Sequence, residues 1–174
     1  YNFTADETNI VVSNLGTDSV GVTTNEETGT TKVDANDKVL NIIATSNKGD
    51  AMGIVAAGVV TDEEGNEKAN EVVIDNLGGS TISATGAGEA VALSATNGDK
   101  VVLNAKDGSV INMSADGGNA TVIKAESGSE VTINGKVNID VADKNVEKAI
   151  QASGEGTVVN IANSEIEVGE GKIA

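Results

Sequence analysis

The chain has 174 residues, 39% of them hydrophobic, and a formal net charge of −16 in which all eleven cations are lysines. So acidic a surface excludes the basic face that nucleic-acid phosphates require and disfavours docking on anionic lipid. Without Cys, His or Arg, disulfides, thiolate metal sites and Ser-His-Asp or Cys-His catalysis are excluded as well.

One Tyr, one Phe and no Trp leave Val, Ile, Leu and Ala to build the core. Aromatics normally fill irregular interior space, so this core is expected to be thin and regular, one aliphatic shape repeated along an axis. The 21 glycines supply positive-φ corners, and the absence of Pro leaves every residue a backbone N–H for a ladder. No apolar run approaches the roughly 20 residues that span a bilayer, so direct membrane insertion of this segment is not expected. Tyr1 opens in mid-pattern, which reads as a cut end.

Taken in chain order, the predicted elements are short strands on aliphatic anchors. Ile10 comes first and Val22 second, within Asp18–Thr24. After polar Asn25–Thr30 comes Ala35, then Ile42 with Ala44, and Ile54. Asp62–Asn70 is a nine-residue polar insertion, and Ile74 follows it. A turn at Asp75–Ser80 leads to Ile82 with Ala84. Val91, Leu93 and Ala95 are expected on one strand face, with Ala90, Ala92 and Ser94 on the other. Leu103, a turn at Lys106–Ser109, and Ile111 with Met113 follow. A turn at Ala115–Asn119 precedes Thr121, Ile123 and Ala125, with Lys124 outward. Ile133 and Ile139 with Val141 come next, then one possible helical turn at Asp143–Ile150, and finally Ile161 and Ile166.

These anchors fall into three columns. The first is Ile10, Ile42, Ile82, Ile111, Ile139 and Ile166, at spacings of 32, 40, 29, 28 and 27. The second is Val22, Ile54, Leu93, Ile123 and Ile150; the third is Ala35, Ile74, Leu103, Ile133 and Ile161. All share a period of about 29 residues once the two polar insertions are removed. One such unit cannot bury its own apolar face, but a stack of them can. The expectation is an all-β, right-handed parallel β-helix, a single solenoid over residues 1–174. It would have three short strands per coil and five to six coils, with 62–70 as an inserted surface loop.

The segment Asn41-Ile42-Ile43-Ala44-Thr45-Ser46-Asn47-Lys48-Gly49-Asp50-Ala51-Met52-Gly53-Ile54-Val55-Ala56 resembles the coil unit of autotransporter passenger domains of Gram-negative bacteria. Glu71–Asp75 and Glu130–Asn134 are similar to the strand that follows it in that family. The resemblance implies a right-handed β-helix, export to the cell surface, and adhesion or shielding. It implies no functional residue, because the motif is a folding motif. The family's C-terminal membrane barrel has no counterpart in this sequence, which reads as a passenger fragment.

No catalytic constellation stands out. Asp75, Asp140, Glu165 and Glu167 are outward acids, scattered rather than paired as glycoside hydrolysis needs, and no enzyme activity is expected. Asp34, Asn36 and Asp37, and separately Asp62, Glu63, Glu64 and Glu67, are short acidic clusters. Neither has EF-hand spacing, so no cofactor or metal site is assigned, weak Ca²⁺ binding being the most they suggest. The candidate contact loop is Asp62, Glu63, Glu64, Asn66, Glu67 and Lys68. Expected partners are a host or bacterial surface ligand, protein or glycan, with end-to-end or lateral self-association as the alternative. Nucleic acid is not expected. A filament or surface-layer subunit is the second reading, and a glycan-degrading β-helix the third.

Overall fold

A computed structural model describes residues 5–141, 145–162 and 164–167, the last of these without side chains. Among the described residues the fold is all-β, 66% strand and without helix, and its two main sheets are parallel. In chain order the strands begin with β1 (Glu7–Asn14), β2 (Ser19–Thr23), β3 (Thr30–Asp34), β4 (Val39–Ser46) and β5 (Ala51–Ala56). A short pair, β6 (Val60–Thr61) and β7 (Glu67–Lys68), precedes β8 (Glu71–Leu77), β9 (Ser80–Ala95), β10 (Lys100–Ala105) and β11 (Val110–Glu126). The chain continues through β12 (Glu130–Asn134), β13 (Lys136–Asp140), β14 (Lys148–Ser153), β15 (Val158–Ile161) and β16 (Ser164–Glu167).

Strands one repeat apart pair in parallel. The larger sheet runs β1-β4-β9-β11-β13-β16, with β2-β5 joined to β9 and β14 to β11; the smaller runs β15-β12-β10-β8-β3. Parallel pairing at a fixed offset puts like residues in rows. Val22, Ile54, Leu93, Ile123 and Ile150 form the second column as the spacing predicts. In the smaller sheet Val72, Val101, Val131 and Val159 align beside Ile74, Leu103, Ile133 and Ile161. Most of the buried aliphatic residues of both sheets belong to one core cluster.

Two anchors differ from the sequence expectation. Met113, not Ile111, pairs with Ile82 and Ile139. Ile111 lies two residues earlier on the same inward face, opposite Ser80 and Val137. Likewise Val33, not Ala35, pairs with Ile74, while the Ala35 N–H extends that ladder to the Asp75 carbonyl. In both cases register followed the continuous ladder, not the best-looking aliphatic residue.

Strict alternation also fails at 90–95. Ala90, Ala92, Leu93 and Ala95 all join the core, so two neighbouring residues face inward where the strand bends. Space for that bend comes from small residues. A Cβ on Gly53 would lie 2.6 Å from the Ala92 carbonyl oxygen and 2.9 Å from Ile82 Cγ2. The expected turn at Ala115–Asn119 is instead a bend within β11, where the register with β9 shifts between Gly117 and Asn119. The helical turn is absent from the described part of Asp143–Ile150, whose Lys148–Ile150 already belong to β14.

Polar side chains tie repeats together along the outer faces. Asn41 Nδ2 donates to Asn9 Oδ1 at 2.9 Å, and the Asn41 Oδ1 accepts from the Thr81 N–H. Asn104 Nδ2 donates to Asp75 Oδ1 at 2.6 Å, and Asn134 Nδ2 to Asn104 Oδ1 at 2.7 Å. Asp18 and Asp50 each accept the backbone N–H of the residue one repeat on, Asp50 and Glu89. Lys124 Nζ meets Glu89 Oε1 at 2.6 Å and Glu126 Oε2 at 3.4 Å.

Leu93 is fully buried, so Leu93→Ala is expected to cost about 2–5 kcal/mol in urea-induced unfolding. Gly53→Ala is expected to destabilise although it fills no polar site, because its Cβ meets backbone from the adjoining repeat. Calorimetry of the two variants checks both.

Candidate functional site

The polar insertion is a hairpin. β6 and β7 pair antiparallel, Val60 with Lys68 and Thr61 with Glu67, and they pair with neither parallel sheet. Its tip is organised by Asp62. The Asp62 Oδ1 accepts the Glu64 and Asn66 N–H groups, each at 2.9 Å, and Asn66 Nδ2 donates to Asp62 Oδ2 at 3.2 Å. These bonds favour the carboxylate and hold its pKa below the ordinary value, the Asn66 backbone bond being the largest cause. Asp62, Glu63, Glu64, Asn66, Glu67 and Lys68 are all exposed.

Asn70, expected as the last residue of the loop, is instead buried and lies at its base. Its backbone N–H and its Nδ2 both donate to Asp99 Oδ1, at 2.7 and 3.0 Å, and Nδ2 also donates to the Gly58 carbonyl at 2.9 Å. Asp99 is 2% exposed. Asn70 Oδ1 and Asp99 Oδ2 are buried without a hydrogen-bond partner. Burial pushes the Asp99 carboxyl above its ordinary pKa, opposed by the two Asn70 bonds.

A cleft lies on each side of the hairpin base. One, of about 480 Å³, is lined by Thr24, Asn25, Glu26, Val59 and Asn70 among others. The other, of about 500 Å³, is lined by Val59, Glu67, Lys68, Asn97 and Asp99 among others. Val59 borders both and is 73% exposed. The structure therefore brings Glu67 and Lys68 to a cleft, while Asp62, Glu63, Glu64 and Asn66 line neither cleft. Sequence reasoning missed Thr24, Val59 and Asp99. A signal existed for Asp99: it precedes Lys100 as Asn70 precedes Glu71 and Ser129 precedes Glu130.

Asp34, Asp37 and Asp75 bond within the scaffold. Asp34 Oδ1 accepts from Asn76 Nδ2 and from the Asn36 N–H, and Asp37 pairs with Lys106 Nζ at 3.1 Å. Asp75 accepts from Asn104, Asp140 is half-buried in β13, and the side chains of Glu165 and Glu167 lie outside the described ones. Among the described residues no three Asp, Glu, His or Cys side chains gather as a metal site. Comparison with protein families, curated proteins and solved structures finds no match to the chain.

Because the folded pKa of Asp62 is lowered, its contribution is present above the unfolded pKa and is lost as pH falls through the folded one. Amide NMR shifts of Glu64 and Asn66 are expected to follow that titration below the ordinary Asp range. In Asp62→Ala both amides should lose protection while the strand amides of β10 keep theirs.

Proposed function

We propose that the chain is a segment of a right-handed parallel β-helix at the surface of a Gram-negative bacterium, where it serves in adhesion. On this reading the two parallel sheets are walls of one solenoid, with a coil of about 29 residues. The hairpin and its two clefts would then meet a protein or glycan of a host or neighbouring cell. The observation that carries this is the pairing of β6 and β7 with each other alone. The chain spends an exposed, charged segment that the sheets do not use, and surface segments of that kind are where recognition is usually placed. The resemblance of Asn41–Ala56 to passenger coils supplies the surface location.

Self-association is favoured by a different feature. β1 is the first strand of the larger sheet, and Val11 on it and Leu15 just beyond are 62% and 75% exposed. Apolar side chains so exposed favour burial against another copy.

Small-angle scattering of the purified chain is expected to give a compact particle, because five to six coils stepping about 4.8 Å each stack to only about 25–30 Å; a long, thin monomer would remove this solenoid. Replacing Asp62–Asn66 by a Gly-Gly turn should leave the circular dichroism unchanged and abolish binding to cultured epithelial cells and to a glycan array. Equal binding by both forms, or none by the parent, would remove the adhesive hairpin. Sedimentation at rising concentration tests self-association, which a constant monomer overturns.

A further inference from the structure

The Asn70–Asp99 contact is the only place among the described residues where a carboxylate oxygen is buried with no partner. It is also where the hairpin returns to the sheets: Asn70 is followed directly by β8, and Asp99 by β10. The bonds there run crosswise. Asn70 donates to Asp99 from backbone and side chain, while the Lys100 N–H donates back to the Asn70 carbonyl at 2.8 Å. The same Asn70 amide holds the Gly58 carbonyl at 2.9 Å, on the chain entering the hairpin. One side chain therefore clasps both feet of the excursion, and Asp99 fixes that side chain.

We propose that Asn70 and Asp99 form a protonation-controlled latch, clasping the feet of the β6–β7 hairpin when Asp99 is neutral and easing them when it is ionised. A neutral carboxylic acid keeps Oδ1 as acceptor for both Asn70 bonds, though these are weaker than to a carboxylate, and leaves no charge at the buried, unpartnered Oδ2. Ionised, it is a buried charge that no cation compensates, which is costly. Charged neighbours do not relieve this. Glu67 and Lys68 of β7 border the same cleft with opposite signs. Glu71 of β8 and Glu130 of β12 flank Lys100 in the strand register, and the Lys100 ammonium is on Glu130 at 3.3 Å. The turn of Thr96, Asn97 and Gly98 carries no charge.

The sign follows from burial. The folded pKa of Asp99 lies above the unfolded one. The stability it contributes is present below the unfolded pKa and is lost as pH rises through the folded pKa. The tip behaves oppositely, because Asp62 needs its charge. Acid thus tightens the feet and loosens the tip.

Two measurements on the whole chain test the latch, carboxyl NMR titration and amide hydrogen exchange corrected for the intrinsic rate, between about pH 4 and about pH 8. Asp99 is expected to titrate above its unfolded value, and the Asn70 amide to lose protection as pH rises. Asp99→Asn, which cannot ionise, should remove that pH dependence, and Glu67→Gln should keep it. The Glu64 and Asn66 amides should keep their protection across this range, because Asp62 titrates below it. The latch is overturned if Asp99 titrates at or below its unfolded value, or if Asp99→Asn retains the wild-type loss at Asn70. Should Asp99→Asn not fold, the carboxyl titration of the parent chain still decides.

Discussion

Parallel hydrogen bonding between strands one repeat apart sets the terms for everything else in this chain. In a parallel ladder each residue lies beside its counterpart in the next repeat, a strand spacing of about 4.8 Å away. Side chains therefore stack on their own kind. Branched aliphatics stack well, which is why Ile42, Ile82 and Ile139 recur on one row and Val72, Val101 and Val131 on another. Large aromatics would break the repetition, and the composition holds only one Tyr and one Phe. Charges stack badly, and the chain meets this by giving its corner carboxylates backbone donors. Asp18 takes the amide of Asp50, and Asp50 that of Glu89, so these two acids are held by N–H groups, while Glu89 itself pairs with Lys124.

The same constraint explains where small residues are needed. Where a strand bends without leaving its sheet, two consecutive side chains turn inward and the adjoining backbone comes close. Gly53 beside Ala92 meets this; at Gly117 the backbone alone comes close, and a Cβ would press on the Gly86 carbonyl. β11 thus runs unbroken through Ala115–Asn119, a stretch that reads as a turn. The sheet does the work that a loop would do elsewhere.

How much of this was readable in the sequence depends on how many residues carried each signal. The period of the aliphatic columns was carried by many residues, and the second column aligned residue for residue. The register of a single strand was carried by few. Ile111 and Met113 are both inward, and Ile is the better match by type; only the ladder to Ile82 and Ile139 selects Met113. The extent of the hairpin was visible as a polar interruption, yet its base was not. Asn70 looked like more of the same polar run, because burial is a property of the neighbours and not of the residue. Its partner Asp99 sits in the following repeat, inside a Thr-Asn-Gly-Asp sequence that reads as an ordinary exposed turn.

The hairpin has one more consequence. Its two strands close on each other, Val60 with Lys68 and Thr61 with Glu67, before the chain resumes the ladder at Glu71. What lies between those pairs is therefore decoupled from the register of the rest. Lengthening the tip adds only slowly to the entropy of closing it, about 0.6 kcal/mol for each doubling of a flexible loop. A gene encoding such a chain can vary, lengthen or exchange this segment by small steps while the scaffold stays unchanged. Variation at the exposed tip and constancy in the stacked rows are then two outcomes of one geometry.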